Sequence, residues 1–383
     1  MRFCFVMLPF EYYSPVSGGA IATVTMNVVR EILKKGHEAV VLTADDGQPL
    51  YTAGEVRRLP LEIHGLLGGF VSHVEARVRH WDWPNQGRFW RAVRRELRSV
   101  SPDVVVLAND LVGASEVRKV LPGVRVVVWV HNECHSSGDM ISGLASSDVF
   151  LSCSQYIQNW LLEKCKVPQA LVHTAYAGVD GDVFFPGKQE RTQGLRLLFT
   201  GRLDPNKGVD LAVEVVRKLK KSGLPVSLTV AGHSWFYPRA GAGADPFFKK
   251  LRKAMTEVEV DWLGHVPRRW IPLVMREHDI SLVISRSQEP FGLVVLEAMA
   301  SGLAVMASPH GGLSEACGEA GIFVDPEDTS QIAQKLEVFC ADRGQLRAWQ
   351  RRSIERAARA KWRSTADVLL RVSGQREAHT LGA

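Results

Sequence analysis

The chain has 383 residues, of which 46% are hydrophobic and 23% charged, and its formal net charge is +6. At roughly 100–200 residues per domain, this length predicts two domains, and the composition is ordinary for a globular protein. No apolar run approaches the ~18 residues that a membrane-spanning helix needs. The opening MRFCFVMLPFEYY carries one positive charge and an apolar run that ends at Pro9, which predicts a first strand rather than a secretion signal.

Short apolar runs alternate with helical patterns through the first half of the chain. Near-continuous Val and Leu runs of this kind are typical of strands buried on both faces of a parallel sheet. Gly36 predicts the end of the first helix, and Ser154 predicts the N-cap of a later one. The predicted strands are Phe3–Leu8, Glu38–Thr43, Asp103–Ala108, Val124–Val130 and Asp148–Cys153.

A turn-rich stretch, AGVDGDVFFPGKQERTQG, interrupts this alternation near the middle of the chain and predicts a linker. The alternation then resumes, with helices predicted at 207–222, at 247–258 and after Gly292. Two such series predict an α/β protein with two doubly wound, Rossmann-like parallel-sheet domains facing a cleft. We place these domains at 1–180 and 181–383, with a C-terminal helix that can pack back on the first. The strands predicted in the second half are LRLLFTG, VSLTVAG, VDWLG, ISLVIS, AVMAS and GIFVD.

Positive charge is concentrated in the second half. Residues 1–185 carry 18 Lys+Arg against 19 Asp+Glu, whereas residues 186–383 carry 29 against 22. Arg352, Arg356, Arg359 and Arg363 follow one another at 4-3-4 spacing, which predicts a single basic face on a C-terminal helix. Such a face can bind anionic lipid or nucleic acid, but a solvated surface helix has the same pattern.

The cysteines point to the cytoplasm. The chain has six, Cys4, Cys134, Cys153, Cys165, Cys317 and Cys340, and no two of them form a C-x-x-C pair. We therefore expect reduced, packed thiols rather than a metal site. The expected location is cytoplasmic, and peripheral contact with the inner face of a membrane stays open because of the basic C-terminal helix.

The first strand-to-helix turn, SPVSGGA, contains Gly18 and Gly19. In doubly wound folds, ligands bind beyond the carboxyl ends of strands, where glycines let an anion approach a helix N-terminus. A tight structural turn would need the same glycines. No strand-to-helix turn matches G-x-G-x-x-G, which argues against a dinucleotide-dependent dehydrogenase.

The turn TGRLDPNKGVD places Arg202 and Lys207 between a strand and a helix. Arg as a fork and Lys as a point charge suit a diphosphate near a helix N-terminus. The alternative is a pair of surface bases beside a cap formed by Asp204. We favour the phosphate interpretation because both cations lie at the edge of the sheet where ligands bind.

The stretch EPFGLVVLEAMASG places one carboxylate before a bend and another in the helix after it. Pro290 disfavours helix at Glu289, and Gly292 can expose a helix N-terminus to an anion. Glu297, about a turn and a half into the helix, suits a pair of ribose hydroxyls, whereas Glu289 can reach a sugar on the other side of the diphosphate. The alternative is an ordinary loop acid and a solvated helix residue.

Taken together, these motifs resemble the retaining nucleotide-sugar glycosyltransferases of the GT-B fold, family GT4. The resemblance covers nearly the whole chain, and the E-x(7)-E block is its strongest part. The motifs that carry it are the early GG loop, VHNE around His131, the central GVD…F.P, R-x-x-x-x-K at Arg202 and Lys207, LGHV at Leu263–Val266, and EPFGLVVLEAMASG with Glu289 and Glu297.

In the second domain, the resemblance implies a role for each matching residue. Arg202 and Lys207 would neutralise the donor diphosphate. Glu297 would bind the ribose hydroxyls and Glu289 the hydroxyls of the transferred sugar. The remaining donor contacts would come from the backbone N–H groups around Phe291, Gly292 and Leu293, and from the turn Gly264, His265 and Val266, which would border the base.

In the first domain, the resemblance implies that Gly18 and Gly19 approach the phosphates and that His131 faces the sugar near its anomeric carbon. Without the family, a histidine at a strand end is at least as compatible with a packing role. The segment 65–90, GLLGGFVSHVEARVRHWDWPNQGRFW, matches no motif, and we expect it to contact the acceptor. The linker AYAGVDGDVF lacks the Asn that family members often have before Gly-Val-Asp.

The implied reaction is transfer of a hexose-type sugar, with retention, from a UDP- or GDP-linked donor to an acceptor hydroxyl. No D-x-D pair lies near a strand end, so we expect no metal and no cofactor besides the donor. The acceptor (small molecule, glycan or lipid-linked glycan) and the oligomeric state stay open, and no nucleic acid is expected. The alternatives are a non-transferring enzyme of the same fold, such as a nucleotide-sugar epimerase, and a binding protein that uses its basic tail.

Overall fold

The computed structural model describes residues 1–17, 19–59, 86–133, 140–187, 194–233 and 246–374. Contacts within the chain divide it into two compact units. The first consists of residues 1–177 together with the chain from Trp362, and the second is the continuous segment Gly178–Lys361. Within the described ranges, no helix combines the length and apolar content needed to cross a lipid bilayer.

The described strands and helices are numbered here in chain order. The strands are β1 (Arg2–Val6), β2 (Glu38–Ala44), β3 (Glu55–Leu59), β4 (Val104–Ala108), β5 (Arg125–Val130), β6 (Val149–Ser152), β7 (Val172–Thr174), β8 (Leu195–Thr200), β9 (Val226–Ala231), β10 (Asp261–Gly264), β11 (Ile280–Val283), β12 (Ala304–Ala307) and β13 (Gly321–Phe323). The helices are α1 (Ala20–Lys34), α2 (Gln86–Val100), α3 (Gly113–Arg118), α4 (Met140–Ala145), α5 (Gln155–Glu163), α6 (Val209–Lys221), α7 (Pro246–Glu257), α8 (Ile271–Arg276), α9 (Leu293–Ala300), α10 (Leu313–Cys317), α11 (Thr329–Ala341), α12 (Arg343–Arg359) and α13 (Trp362–Gly374). Short 3-10 helices cover Gln169–Leu171, Pro205–Lys207, Arg268–Trp270 and Gly318–Ala320.

The first unit is built on a seven-stranded parallel sheet with strand order β3-β2-β1-β4-β5-β6-β7. Cys4 of β1 pairs with Val40 on one side and Val105 on the other. Every residue of β4 is buried, because helices cover both faces of a parallel sheet. Ser154 caps α5 through a 3.1 Å hydrogen bond from the N–H of Ile157, which confirms its predicted role.

The second unit contains a six-stranded parallel sheet with strand order β10-β9-β8-β11-β12-β13. Its core is formed by buried side chains such as Leu197, Val230, Leu282 and Met306. The structure thus confirms the predicted α/β class with two doubly wound parallel sheets. In each sheet the strand order reverses beside the first strand, between β1 and β4 and between β8 and β11, and such switch points are where ligands bind in this kind of fold.

The C-terminal basic face that the sequence predicts is not formed. α12 ends at Arg359, and the Ala360 backbone leaves the helical region with φ −85° and ψ 93° before α13 begins. Arg363 therefore lies on a different helix, in the other unit, from Arg352 and Arg359. Arg356 is also engaged, since its guanidinium donates a 2.7 Å hydrogen bond to the carbonyl of Glu315. The prediction of one continuous helix was wrong because the chain returns to the first unit at this point.

The cysteines of the described residues have free thiols. Cys4, Cys153, Cys165 and Cys317 are buried and Cys340 is partly exposed, which agrees with the predicted packed thiols. Burial raises the pKa of Cys165 to about 11, so this thiol stays protonated at neutral pH. Cys134 lies outside the described residues.

Candidate active site

The loop after β8 places both predicted cations at the switch point of the second sheet. Asp204 caps the 3-10 helix Pro205–Lys207 by accepting a 2.9 Å hydrogen bond from the N–H of Asn206, and it also forms an ion pair with the exposed Arg202. α6 begins two residues later than predicted, because Gly208 adopts a left-handed conformation at φ 74°. Arg202 and Lys207 thus lie in the turn rather than in the helix.

Lys207 and Glu289 form an ion pair across the switch point. The Nζ atom of Lys207 is 2.6 Å from Oε1 and 2.8 Å from Oε2 of Glu289. The Ser285 hydroxyl donates a further hydrogen bond of 2.5 Å to Oε1. Lys207 follows β8 and Glu289 follows β11, so the pair joins the carboxyl ends of the two strands that flank the switch point. Glu289 is buried, with 8% of its surface exposed, and these donors offset the cost of burying its carboxylate.

Arg286, which no motif predicted, holds the loop after β11 against the loop after β8. Its guanidinium binds both oxygens of Asp210 at 2.8 Å, and it donates to the Pro205 carbonyl at 2.6 Å. The backbone N–H of Arg286 donates a further hydrogen bond of 2.8 Å to the carbonyl of Asn206. The hydrogen bonds to Asp210 raise the pKa of Arg286, which keeps it charged. These contacts position the segment that carries Lys207.

The bend before α9 is shaped by Gly292. This residue has φ 101° and ψ 65°, a left-handed conformation, and no side chain caps the helix that follows. A Cβ atom there would lie 2.6 Å from Cδ2 of Leu313. Phe291 and Leu293 on either side are buried, so this part of the predicted donor site presents its backbone and not its side chains. The uncapped start of α9 can favour an anion.

Glu297 lies in α9 with 4% of its surface exposed and forms an ion pair with Arg268. The bond from Arg268 reaches Oε1, and no described residue donates to Oε2. Arg268 was not among the predicted site residues, although it lies just beyond the predicted LGHV turn. That turn is placed at the end of β10, where Gly264 has φ 67°, His265 is exposed and Val266 is partly buried.

In the first unit, the predicted residues follow β1 and β5. Gly19 is the N-cap of α1 and no side chain caps this helix; its neighbour Gly18 lies outside the described residues. His131 follows β5, and its N–H donates a 2.6 Å hydrogen bond to Oδ1 of Asn109. Its ring stacks on that of Trp129, with 5.1 Å between the centroids. Burial lowers the pKa of His131 to about 3, so the imidazole is neutral at physiological pH.

The second unit therefore brings Lys207 and Glu289 into direct contact. It also pairs Arg202 with Asp204, and Glu297 with Arg268. In the first unit, Gly19 and His131 both follow strands at the carboxyl edge of the sheet. Across the described ranges, no cluster of three or more His, Cys, Asp or Glu side chains is arranged to hold a metal ion.

Two family models match consecutive parts of this chain. Glycosyltransferase Family 4 matches residues 18–183, and Glycosyl transferases group 1 matches residues 182–359. With the two doubly wound sheets, these matches show that the chain belongs to the family 4 glycosyltransferases of the GT-B fold.

Similar proteins cover this chain to different extents. Glycogen synthase of Mycobacterium tuberculosis is 30% identical over 224 residues, which are 58% of this chain and 51% of that protein. The chain thus spans about half the length of that relative. Spore coat protein SA of Bacillus subtilis is 25% identical over 385 residues, covering 93% of this chain and 95% of that protein.

Solved structures show the same fold at low identity. HepE of Anabaena, in a crystal structure with UDP and glucose, aligns with a TM-score of 0.75 and 17% identity over 98% of this chain and 100% of that chain. Sucrose-phosphate synthase of Thermosynechococcus elongatus aligns with a TM-score of 0.74 and 17% identity, covering 97% and 98%. At these identities the likeness establishes the GT-B fold.

Proposed function

We propose that this protein is a retaining glycosyltransferase that moves a hexose-type sugar from a nucleoside diphosphate donor to an acceptor hydroxyl, without a metal ion. The observation that carries the proposal is the contact between Lys207 and Glu289 at the switch point of the second sheet. It places a cation and a carboxylate side by side, next to the uncapped start of α9. A sugar diphosphate needs both, since its phosphates are anionic and its sugar presents hydroxyl groups.

The cations would act on the leaving group. Cleavage of the bond between the anomeric carbon and the diphosphate leaves an anion and an oxocarbenium-like centre. Fixed donors that favour the developing anion lower this barrier, and each well-placed one contributes about 3–4 kcal/mol in comparable oxyanion sites. Lys207 and Arg202 would supply that charge, and Arg286 would hold the loop that carries Lys207 in place.

The two glutamates would bind different parts of the donor. Oε1 of Glu289 already accepts from Ser285 and Lys207, so a sugar hydroxyl would join a carboxylate that is held in position. Glu297 accepts from Arg268 through Oε1, which leaves Oε2 for a ribose hydroxyl. Arg268 also gives this buried carboxylate a cationic partner within the protein.

His131 would contribute as a neutral donor or acceptor near the anomeric carbon. Its low pKa excludes a fixed positive charge on the imidazole at neutral pH. A neutral ring can hydrogen-bond a sugar hydroxyl without competing with the cations for the diphosphate. In the same-face route to retention that we propose, the acceptor attacks from the face that the leaving group departs from, and the phosphate oxygen takes the acceptor proton.

Related proteins support a nucleotide-sugar donor. The Anabaena HepE structure holds UDP and glucose, and HepE shares the fold of this chain. We infer a donor of the same chemical class, with UDP or GDP as the nucleotide. Soluble or lipid-linked glycans and small molecules are candidate acceptors.

A panel of UDP-, GDP- and ADP-sugars tests the proposal. Each is incubated with the protein, first with water as the only acceptor, and the free sugar is followed by proton NMR. A retaining transferase releases sugar with the anomeric configuration of the donor before mutarotation equilibrates it. Release of the opposite anomer would contradict retention, and conversion of the donor into its epimer without loss of nucleotide would establish the epimerase alternative instead. No turnover of any donor, with any acceptor offered, would count against the transferase.

A further inference from the structure

A cavity of about 340 Å³ lies at the opposite end of the second sheet from the candidate active site. Arg196, which lines it, is the second residue of β8, and Asp279 immediately precedes β11. The carboxyl ends of these same strands lead to Arg202 and Glu289. Because a strand rises ~3.3 Å per residue, the two places are roughly 20 Å apart. The cavity is therefore separate from the proposed donor site.

Arginines dominate the lining of this cavity. Five of them contribute, whereas Asp279 is the one carboxylate that the described residues place in its wall. We call this site the arginine cavity. Five guanidinium groups facing one acid leave an excess of positive charge, which is costly unless an anion compensates it. Its arginines are Arg196, Arg276, Arg343, Arg347 and Arg351.

The carboxylate of Asp279 already accepts hydrogen bonds from two of these arginines. Asp279 accepts a 2.9 Å hydrogen bond from the N–H of Arg196, and the side chains of Arg196 and Arg343 each reach it at 3.3 Å. Glu277 approaches Arg196 only at 3.8 Å and is largely exposed. Nη1 of Arg196 and Nε of Arg276 have no hydrogen-bond partner within the described part of the chain. The acids of the protein thus leave this cluster short of negative charge.

Three arginines lie in a row on the face of α12 that lines the cavity. Arg343, Arg347 and Arg351 are spaced four residues apart, which aligns like charges on one helix face and destabilises the helix. Arg347 and Arg351 are exposed and form no ion pair or hydrogen bond with any described residue. Both guanidinium groups are thus available to a ligand.

We propose that the arginine cavity binds a phosphate-bearing small molecule. Guanidinium groups bind phosphate oxygens in pairs, and a phosphomonoester dianion would neutralise two of the unpaired charges. The volume lies at the lower end of the range for small-molecule sites, which fits a single phosphorylated sugar or a similar metabolite rather than a dinucleotide. The wall residue Gln350, which donates to the Asp279 carbonyl at 3.1 Å, adds a neutral polar group beside the charges.

Isothermal titration calorimetry with glucose 6-phosphate tests the proposal on the full chain, in phosphate-free buffer at about 0.15 M ionic strength. We expect saturable binding, with no comparable heat from glucose. Arg347→Ala and Arg351→Ala should each weaken it roughly 10-fold, the effect of losing one charge-assisted hydrogen bond. Arg359→Ala is the matched control, since it removes another exposed arginine of α12 that does not line the cavity. We expect less than about a twofold change there, because exposed charges are screened.

Three results would overturn the proposal. The first is equal weakening by all three variants, which would mean that overall charge attracts the ligand. The second is binding that Lys207→Ala abolishes and the cavity variants leave intact, which would move the phosphate to the candidate active site. The third is absence of glucose 6-phosphate binding, including the case where vesicles with phosphatidic acid bind through Arg347 and Arg351, since that would make the ligand a membrane surface.

Discussion

Glu289 and Gly311 face each other in an isolated parallel bridge, and the Glu289 carbonyl accepts a 2.6 Å hydrogen bond from the N–H of Gly312. Gly311 has φ 61°, and a Cβ atom on it would lie 2.3 Å from that carbonyl oxygen. The backbone of the proposed sugar-binding glutamate is therefore held by a position that tolerates no side chain.

Gly311→Ala should lower the melting temperature more than a change that introduces left-handed strain alone. Gly223→Ala provides that comparison, because Gly223 has φ 74° and no atom within 4 Å of the new Cβ. The control should lose about 1–2 kcal/mol, and Gly311→Ala more, since the carbonyl of Glu289 must also move. Equal shifts in scanning fluorimetry would show that the contact with Glu289 costs nothing.

The phosphate-binding cations should be essential for turnover. Arg202→Ala and Lys207→Ala should each reduce kcat/KM by about 10²–10³-fold, the range for a lost transition-state donor. Lys221→Ala is a matched control, because it removes an exposed lysine at the end of α6, far along the helix from the turn. Near-normal kcat/KM in a folded variant would remove that residue from the site.

Substitution of Glu289 and of Glu297 should have different effects on nucleotide affinity, measured by calorimetry. Glu297→Gln should weaken binding of both the nucleoside diphosphate and the whole donor, because its proposed partner is the ribose. Glu289→Gln should leave nucleotide affinity nearly unchanged while reducing kcat, because its proposed partner is the sugar. If both variants lost nucleotide affinity to the same degree, the assignment of the two carboxylates would be wrong.

Protonation of His131 should destabilise the protein in acid. Burial lowers its pKa to about 3, whereas an unfolded histidine titrates near 6.5, so the unfolded chain binds more protons between these values. The contribution is complete above pH 6.5 and is lost as the pH falls, by up to about 1.4 kcal/mol per unit. His131→Asn should show a shallower loss of melting temperature between pH 6.5 and 5 than the natural chain. A parallel decline in both proteins, or an NMR titration of His131 near 6.5, would contradict the buried neutral state.

A chelator should leave activity largely intact. If Arg202, Lys207 and the N–H groups at the start of α9 supply the positive charge for the diphosphate, no ion is required. A metal-dependent transferase would lose its largest local charge. Activity that disappears with EDTA and returns with manganese would contradict this. EDTA already saturated with magnesium serves as the control for non-specific effects of the chelator.

Apolar runs predicted most of the fold, and the strands they missed are instructive. β3 is largely polar, EVRRL, and β7 has three residues. Both are edge strands, which bury less surface and therefore carry a weaker apolar signal. The end of α12 was also missed, because no Gly or Pro marks the break at Ala360.

Local motifs located the candidate site but not the partners that hold it. Arg202, Lys207, Glu289 and Glu297 were each found in a strand-to-helix turn or the helix after it. Their pairing was not, because Lys207 and Glu289 lie 82 residues apart and meet only through the strand order. The same holds for Arg268, which lies 29 residues before its partner Glu297.

The order in which the two units can fold during synthesis follows from the way the chain leaves the first unit and returns to it. α13 packs on α1 and its Asp367 binds Lys35 at 2.7 Å, yet residues 178–361 must be made between them. At about 5–20 residues per second, a ribosome needs on the order of 10–40 s to cover that distance. The second unit is continuous and can fold in the meantime, while the side of α1 that receives α13 stays open to water or to a chaperone. The first unit begins earlier and closes last.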